Sequence, residues 1–212
     1  MKNPSAQTKR SETAIKIIGA ARDVFSERGF SGTTVDEIAR HAGVNKATLY
    51  YQIGDKETLY TAVIHDVMSV VVEAIARDIE NAPSPEEKLK TYIKNMAGAV
   101  DRNPWMPPIM LREMASGGEN LPEVVVREMA RIFSILTGIL DEGFQRGVFF
   151  ATTPPLVHLM IMGAFVFYKT SKPLRARQDW LIEEWKRGPG LVSEEIAGEV
   201  ESLILRALKK GS

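Results

Sequence analysis

The residues best suited to do chemistry lie close together in positions 44–60, VNKATLYYQIGDKETLY, where two adjacent tyrosines stand between two lysines. Neighbouring residues of a helix point about 100° apart, so Tyr50 and Tyr51 cannot both enter the same small core. At least one phenol is therefore expected at the surface. Together with the ammonium groups of Lys46 and Lys56, it would offer hydrogen-bond donors to whatever binds there.

Catalytic chemistry finds little support in the rest of the chain. His41, His65 and His158 fall in separate predicted helices, and none has a second histidine or a carboxylate at a metal-ligand spacing such as HExxH. The sequence has no cysteine, no glycine-rich phosphate loop and no serine nucleophile elbow. We therefore predict no enzyme activity, no metal site and no cofactor. The alternatives are an all-helical enzyme and a helical scaffold that binds only protein, but such a scaffold would not need these lysines and tyrosines together.

Size and composition set the broad class. The chain has 212 residues with 27 basic and 27 acidic side chains, so its zero formal charge gives no global reason to expect a polyanionic partner. The length suits one large domain, or a small domain joined to a larger one. The absence of cysteine favours a reducing compartment, and the longest apolar run, at 156–168, is too short to cross a bilayer. We predict a cytoplasmic protein without membrane contact.

Apolar residues recur at helical spacing almost throughout, and no segment alternates with period two for long enough to predict a strand. Thr34 and Glu37 form a capping-box pattern, Asn45 is a further N-cap candidate, and Gly29 and Gly43 are natural helix ends. The predicted helices cover 14–28, 35–42, 46–52, 56–79, 86–101, 107–116, 121–146, 154–170, 174–186 and 193–210. The predicted fold class is all-α.

The second and third predicted helices have the pattern of a helix-turn-helix, in which the latter helix fits the major groove of DNA. If Val44, Leu49 and Ile53 pack inward, the remaining side chains of this helix are left wholly or partly outside. They are Lys46, Ala47, Thr48, Tyr50, Tyr51 and Gln52. Amine, methyl and hydroxyl groups of this kind read base edges and hold phosphates, so we predict that the tyrosines face DNA. Lys56 stands at a helix N-terminus, where an anion is favoured.

The segment AARDVFSERGFSGTTVDEIARHAGVNKATLYYQIGDKETLY resembles the N-terminal DNA-binding domain of the tetracycline-repressor (TetR) family of bacterial regulators. The likeness follows the whole pattern GF..TTV.EIA..AGV.K.TLYY...DKE.L rather than one dipeptide. It implies base contacts from Lys46, Ala47 and Thr48. The other DNA contacts that it implies, chiefly to phosphates, are Thr33, Thr34, Tyr50, Tyr51, Gln52 and Lys56. Ala47 stands where many members have Gly, and Gln52-Ile53 where many have His-Phe.

The resemblance also implies a function and a division of the chain. We expect a transcriptional regulator, a repressor, that binds a palindromic operator in double-stranded DNA as a homodimer and responds to a small molecule. The predicted parts are an N-terminal arm at 1–12, an N-terminal three-helix helix-turn-helix domain at 13–58, and a C-terminal helical bundle for ligand binding and dimerisation at 59–212. Lys2, Lys9 and Arg10 could let the arm enter the minor groove, or the arm could have no role.

Two apolar helix faces in the second half are candidates for pairing two subunits, because the family uses the corresponding helices in this way. The predicted interface residues are Leu156, Met160, Gly163, Phe167, Val200, Leu203 and Ile204. The alternative is that both faces are internal core. The segment 171–192 between these helices receives no predicted role.

Methionine and aromatic residues are dense in the middle helices, and flexible thioethers can line a cavity for apolar or aromatic molecules. The predicted ligand-binding residues are Met96, Trp105, Met110, Met114, Met129 and Phe133. Arg112 and Glu113 lie close by in sequence as candidate polar anchors. The alternative is that most of these side chains fill a dry core.

Overall fold

The computed structural model describes residues 10–177 and 193–210, and within these ranges the regular structure is helical apart from one antiparallel bridge between Phe149 and Lys209. The helices are α1 (Glu12–Arg28), α2 (Val35–Ala42), α3 (Lys46–Gln52), α4 (Lys56–Glu80), α5 (Pro85–Arg102), α6 (Met106–Ala115), α7 (Glu123–Gln145), α8 (Pro154–Thr170), α9 (Lys172–Arg177) and α10 (Ser193–Leu208). The predicted all-α class is confirmed.

Local signals set the ends of the first three helices. The side chains of Ser11, Thr34 and Asn45 each accept a hydrogen bond from a backbone amide three residues later, which satisfies donors that the helix start leaves unpaired. Gly29 and Gly43, with φ values of 70° and 67°, end α1 and α2. The bounds of α2 and α3 therefore match the predicted ones.

Two predicted features fall wholly or partly outside the described residues. The predicted helix at 174–186 overlaps α9, and the rest of the segment, from 178 to 192, lies outside the described ranges. Lys2 and Lys9 of the predicted N-terminal arm lie outside them as well.

The chain divides into two compact units. The first unit contains residues 1–64 and 108–122, and the second contains 65–107 and 123–212. The boundaries fall inside α4, inside α6 and at the start of α7. The predicted division at residue 58 assigned 108–122 to the second part of the chain, whereas its contacts group this segment with α1–α3.

The interior of the first unit is built on buried aromatic and aliphatic side chains. The rings of Phe25 and Phe30 pack against the ring of Tyr60, with centroid distances of 4.8 and 4.9 Å. Leu49 brings α3 into this interior and is fully buried. Further buried residues of the unit are Ile17, Ile18, Ala21, Val24, Ile38, Ala39, Leu59, Val63 and Ile64.

Arg112 of α6 fastens the segment 108–122 to α1. Its guanidinium donates to the backbone carbonyls of Ser26 and Glu27, with a distance of 2.7 Å to the latter. These carbonyls belong to the last turn of α1, where a helix leaves its acceptors without intrahelical donors. The interaction therefore caps α1 with a charged donor from a distant part of the sequence.

The neighbouring Glu113 connects the same segment to α4. Its carboxylate is only 2% exposed and accepts hydrogen bonds from the Tyr60 hydroxyl at 2.7 Å and the Asn120 backbone amide at 3.3 Å. Burial, together with the hydrogen bond to Glu113, raises the pKa of Tyr60, so the phenol remains a proton donor. Arg112 and Glu113, predicted as anchors for a ligand, are thus engaged in holding the first unit together.

The second unit has one apolar interior shared by α5, α7, α8, α10 and the later part of α4. Its buried residues include Val72, Ile75, Leu89, Tyr92, Ile93, Met96, Ile132, Leu136, Ile139, Phe149, Val157, Ile161, Phe165, Val200 and Ile204. Gly143 permits a close approach of α7 to Phe149, because a Cβ at this position would lie 2.0 Å from the Phe149 ring. The second unit is therefore a helical bundle with a continuous core.

Among the described helices, α4 has the length and mean hydropathy of a membrane span, although the longest uninterrupted apolar run of the sequence lies elsewhere, at 156–168. Several of its apolar residues lie in the protein interior: Leu59 and Ile64 are buried in the first unit, and Val72 and Ile75 in the second.

Glu113→Ala is expected to destabilise the first unit by about 1–3 kcal/mol, because the buried Tyr60 hydroxyl and Asn120 amide would lose their acceptor. Hydrogen exchange of the amides of α1 and the first turns of α4 measures the loss locally. Glu113→Gln retains an oxygen acceptor and should lose less. Glu119→Ala removes an exposed carboxylate of the same segment and is the control. Equal exchange rates in Glu113→Ala and Glu119→Ala would contradict this role of the buried carboxylate.

Candidate nucleic-acid interface

The recognition helix α3 is placed by one anchor and one cap. Leu49 is fully buried, while Val44 and Ile53 at the two ends of the helix are half-buried. The Asn45 side chain accepts from the Thr48 amide at 2.7 Å, and the Thr48 hydroxyl donates to the same oxygen at 2.9 Å. This fixes the inward face that the sequence predicts and leaves the opposite face accessible.

The accessible face carries the donors that the sequence singled out. Tyr51 is 87% exposed and Tyr50 is 47% exposed, so neither phenol contributes mainly to the core. Lys46 and Ala47 are exposed as well, and Thr48 and Gln52 are half-buried. All of these side chains belong to one seven-residue helix and can approach the same surface of a partner.

Two of the exposed polar groups already have partners in the free protein. The hydroxyl of Ser11, the N-cap residue of α1, donates to the Gln52 side-chain oxygen. The Lys46 amine donates to the Asp36 carboxylate of α2 at 2.9 Å. The hydrogen bond to Asp36, with the attraction of its charge, raises the pKa of Lys46. Lys46 is therefore a permanent cation held beside an acid.

Lys56 and Thr33 form a junction between the turn after α1 and the start of α4. The Thr33 hydroxyl is buried and donates to the Gly29 carbonyl at 2.7 Å. Lys56 donates to the Thr33 carbonyl at 3.1 Å, and its amine lies 4.1 Å from the centroid of the Phe30 ring. The Thr33 side chain is thus committed to the interior, and its predicted phosphate contact stays a prediction. Thr34 serves as the N-cap of α2.

At the start of α4 the Asp55 side chain accepts from the Thr58 backbone amide at 2.8 Å. Hydrogen bonds from Thr58 lower the pKa of Asp55, so this carboxylate remains charged. It occupies the helix N-terminus beside Lys56, where the sequence predicts that an anion is favoured. A DNA phosphate would have to approach Lys56 next to this charge.

The predicted ligand-binding residues are divided between the two units. Met96 is buried in the second unit, where Trp105, Met129 and Phe133 are half-buried. Met110 and Met114 belong to the first unit, and Met114 is 53% exposed. No group of three or more potential metal ligands occurs within residues 10–177 and 193–210.

A polar pair in the second unit was not predicted from the sequence. The Tyr92 hydroxyl lies 2.7 Å from Nδ1 of His158, and the His158 ring lies 4.5 Å from the ring of Phe133. Burial lowers the pKa of His158 to about 4, so the imidazole is neutral at pH 7. In the tautomer in which Tyr92 donates to Nδ1, Nε2 carries the proton and is a hydrogen-bond donor next to an aromatic ring, and in the other tautomer Nδ1 donates to the Tyr92 hydroxyl. Tyr92 and His158 are 66 residues apart in the sequence, so no local motif indicates that they are in contact.

The predicted interface residues fall into two groups. Leu156, Met160 and Phe167 are 55%, 50% and 65% exposed, and with half-buried Gly163 they form a stripe along α8. Leu203 of α10 is 62% exposed. Val200 and Ile204, in contrast, are buried in the core of the second unit. The core alternative therefore applies to Val200 and Ile204, and for the exposed residues the subunit interface stays a prediction.

Two family models match this chain. Residues 17–63 match the model described as bacterial regulatory proteins, tetR family, and residues 82–169 match the tetracyclin repressor-like, C-terminal domain. The first match covers α1–α3 and the start of α4, and the second covers α5–α7 and nearly all of α8.

Individual relatives agree with these matches. The fatty acid metabolism regulator protein of Bacillus subtilis is 27% identical over 133 residues, 63% of this chain and 69% of that protein. The HTH-type transcriptional regulator RutR of Escherichia coli is 26% identical over 157 residues, 74% of each chain. The fold is shared with FadR of Bacillus subtilis, solved in complex with stearoyl-CoA, with a TM-score of 0.69, 22% identity and coverage of 91% and 98%. From its helix-turn-helix and its matched C-terminal domain, the chain belongs to the tetracycline-repressor (TetR) family of bacterial regulatory proteins.

Proposed function

We propose that this protein is a cytoplasmic transcriptional repressor that binds a palindromic operator as a homodimer and changes its affinity for DNA when a small apolar or aromatic molecule binds. The observation that carries the proposal is the exposed face of α3, set on a family-matched helix-turn-helix. The relatives that match the chain are regulators rather than enzymes.

DNA binding is supported by the chemistry of the exposed face. Lys46, Ala47 and Thr48 stand at the N-terminal end of α3, the end that contacts base edges when such a helix lies in the major groove. Tyr50 and Tyr51 offer hydroxyls that suit phosphate oxygens, which orient the protein without reading sequence. A two-fold dimer would place two recognition helices on half-sites about 34–36 Å apart, or a multiple of this distance.

Dimerisation is supported by the exposed stripe on α8 together with Leu203 of α10. Large apolar side chains contiguous on one face commonly mark an association surface. Leu156, Met160 and Phe167 are all at least half exposed. The half-buried Gly163 lies between Met160 and Phe167 and would allow two helices to approach closely.

Effector binding is proposed in the second unit, against Phe133 and His158. The two rings offer apolar contact, and the neutral imidazole can donate one hydrogen bond to a ligand oxygen. Apolar chemistry is also indicated by the name of the Bacillus subtilis fatty acid metabolism regulator and by the stearoyl-CoA bound in the Bacillus subtilis FadR structure. Regulation requires the ligand to bind one conformational state better than the other by about 1–3 kcal/mol.

Tyr51→Phe should weaken binding to every duplex by a similar factor, roughly two- to tenfold, because one hydrogen bond to phosphate is lost without any base contact. Lys46→Ala should instead change which duplexes are preferred. Fluorescence anisotropy with a selected operator and a random duplex separates the two effects. Tyr168→Phe, the same chemical change in the second unit, is the control. Unchanged affinity and preference in Lys46→Ala would show that α3 is placed wrongly on DNA.

Leu203→Arg should produce monomers or insoluble protein, because it forces an unpaired charge into an apolar contact. The interface of an obligate dimer of this kind would bury on the order of 2,000 Å². Light scattering at micromolar concentration measures the state of assembly. Val70→Arg introduces the same charge at a position of equal exposure, 62%, on α4, and is expected to leave the dimer intact. A wild-type chain that scatters as a stable monomer would refute the dimer.

Phe133→Ala should weaken the binding of an apolar effector roughly tenfold or more, since a large aromatic contact is removed. Thermal shift with long-chain fatty acids, acyl-CoA thioesters and aromatic acids identifies a ligand, and titration then gives its affinity. Phe144→Ala removes a half-exposed phenylalanine from the same helix and should have no effect. A ligand that binds both variants equally would exclude a site against Phe133, and one that binds without altering operator affinity would exclude the coupling.

A further inference from the structure

The contact between Lys46 and Asp36 places an acidic side chain at the proposed DNA-binding surface, where a negative charge is unexpected. Lys46 is the first residue of α3 and Asp36 lies in the first turn of α2. The ammonium and the carboxylate are 2.9 Å apart, and both side chains are at least half exposed. An exposed ion pair of this kind adds little to the stability of the fold, so stability gives little reason for it. Beside a polyanion the carboxylate also costs affinity through repulsion of phosphates.

We infer that Asp36 is a specificity-determining residue, which together with Lys46 reads a single G·C base pair in each half-site. The inference rests on the proposed DNA-binding function and deepens it. Asp36 accepts from the cytosine edge and also keeps the Lys46 amine directed at guanine.

The donor and the acceptor of the pair match the two edges of a G·C pair in the major groove. Guanine presents two acceptors, O6 and N7, and an ammonium group is a common partner for them. Cytosine presents an N4 amino donor, for which a carboxylate is the matching acceptor. A side-by-side ammonium and carboxylate can therefore contact both bases of one pair. Lys46 alone would provide only the donor half of this pattern.

The second effect of Asp36 is to reduce contact with phosphates. A lysine on a flexible stem can turn to a backbone oxygen, which gives affinity without sequence information. The hydrogen bond to Asp36 competes with that movement, and the Asp36 charge repels the phosphates themselves. Loss of the carboxylate should therefore raise the affinity for random DNA while lowering the preference for the correct base pair.

The test uses the whole chain and variants in which a single aspartate is replaced. Asp36→Asn removes the charge with little change in shape, and Asp36→Glu retains it on a longer side chain. Asp23→Asn is the matched control, because Asp23 is an exposed acid of α1, 65% exposed against 68% for Asp36, and lies 3.8 Å from His41 rather than beside Lys46. Circular dichroism melting establishes that each variant is folded.

Selection from a random duplex library gives the operator of the wild-type protein and identifies any G·C pair that each half-site requires. Fluorescence anisotropy then gives the affinities for the operator, for a copy in which this G·C pair is replaced by A·T, and for random DNA. In the wild type the replacement should weaken binding roughly five- to 150-fold, the range of one good base contact. In Asp36→Asn this ratio should fall towards one, the affinity for random DNA should rise, and the salt slope should steepen by about 0.9 as Lys46 takes a phosphate. Asp36→Glu should recover part of the preference.

Two results overturn the inference while the proposed function survives: a half-site that has no required G·C pair, or an Asp36→Asn protein with the same consensus, ratio and salt slope as Asp23→Asn. A wild-type protein that enriches no duplex from the library overturns the proposed function itself. The outcomes of the selection therefore distinguish the two failures.

Discussion

A helix as short as α3, with seven residues, does not hold its conformation in water by itself. Its shape is imposed by the burial of Leu49, by the Asn45 cap and by the turn at Gly43. The proposed base contacts of α3 depend on this imposed geometry. Lys46, Ala47 and Thr48 are consecutive residues, so a rotation of the helix about its axis would change which of them faces the bases. The aromatic interior of the first unit and the hydrogen bonds of Arg112 and Glu113 can be understood as the support that such a short element requires.

The charges of the first unit suit DNA binding through hydrogen bonds to base edges more than binding through many cationic contacts with phosphates. Arg28 pairs with Glu37, and Lys46 pairs with Asp36, so cations of α1–α3 are partly neutralised by neighbouring acids. Tyr50 and Tyr51 contribute hydroxyl donors in place of further cationic side chains. Binding by this surface should depend less on ionic strength than binding by a basic patch, because fewer counterions are released per contact.

The short helices could be predicted from sequence to the residue, because their limits are written in local chemistry: Thr34 and Asn45 begin them and Gly43 separates them. The inward position of Leu49 followed from the helical period alone. What could not be predicted depends on contacts between distant residues. The resemblance implies a phosphate contact for Thr33, whereas in the structure this side chain is buried and its hydroxyl donates to the Gly29 carbonyl.

Apolar periodicity also could not separate core from interface in the second half of the chain. Leu203 and Ile204 are neighbours in α10, yet one is 62% exposed and the other 4% exposed. The period identifies an apolar face but not the element that covers it. The pairing of Tyr92 with His158 and the attachment of residues 108–122 to the first unit are of the same kind, since neither leaves a local signal.

The end of α10 is joined to the loop after α7 by main-chain atoms. The Phe150 amide donates to the Leu208 carbonyl at 2.8 Å, the Lys210 amide donates to the Val148 carbonyl at 3.1 Å, and Phe149 between them is fully buried over Gly143. Main-chain hydrogen bonds tolerate a change of side chain, but they are lost when the residues that supply the amide or the carbonyl are removed. A shortened version of this protein should therefore keep residue 210. An affinity tag should follow residue 210 through a flexible linker, because a tag fused directly to Leu208 would remove the Lys210 amide.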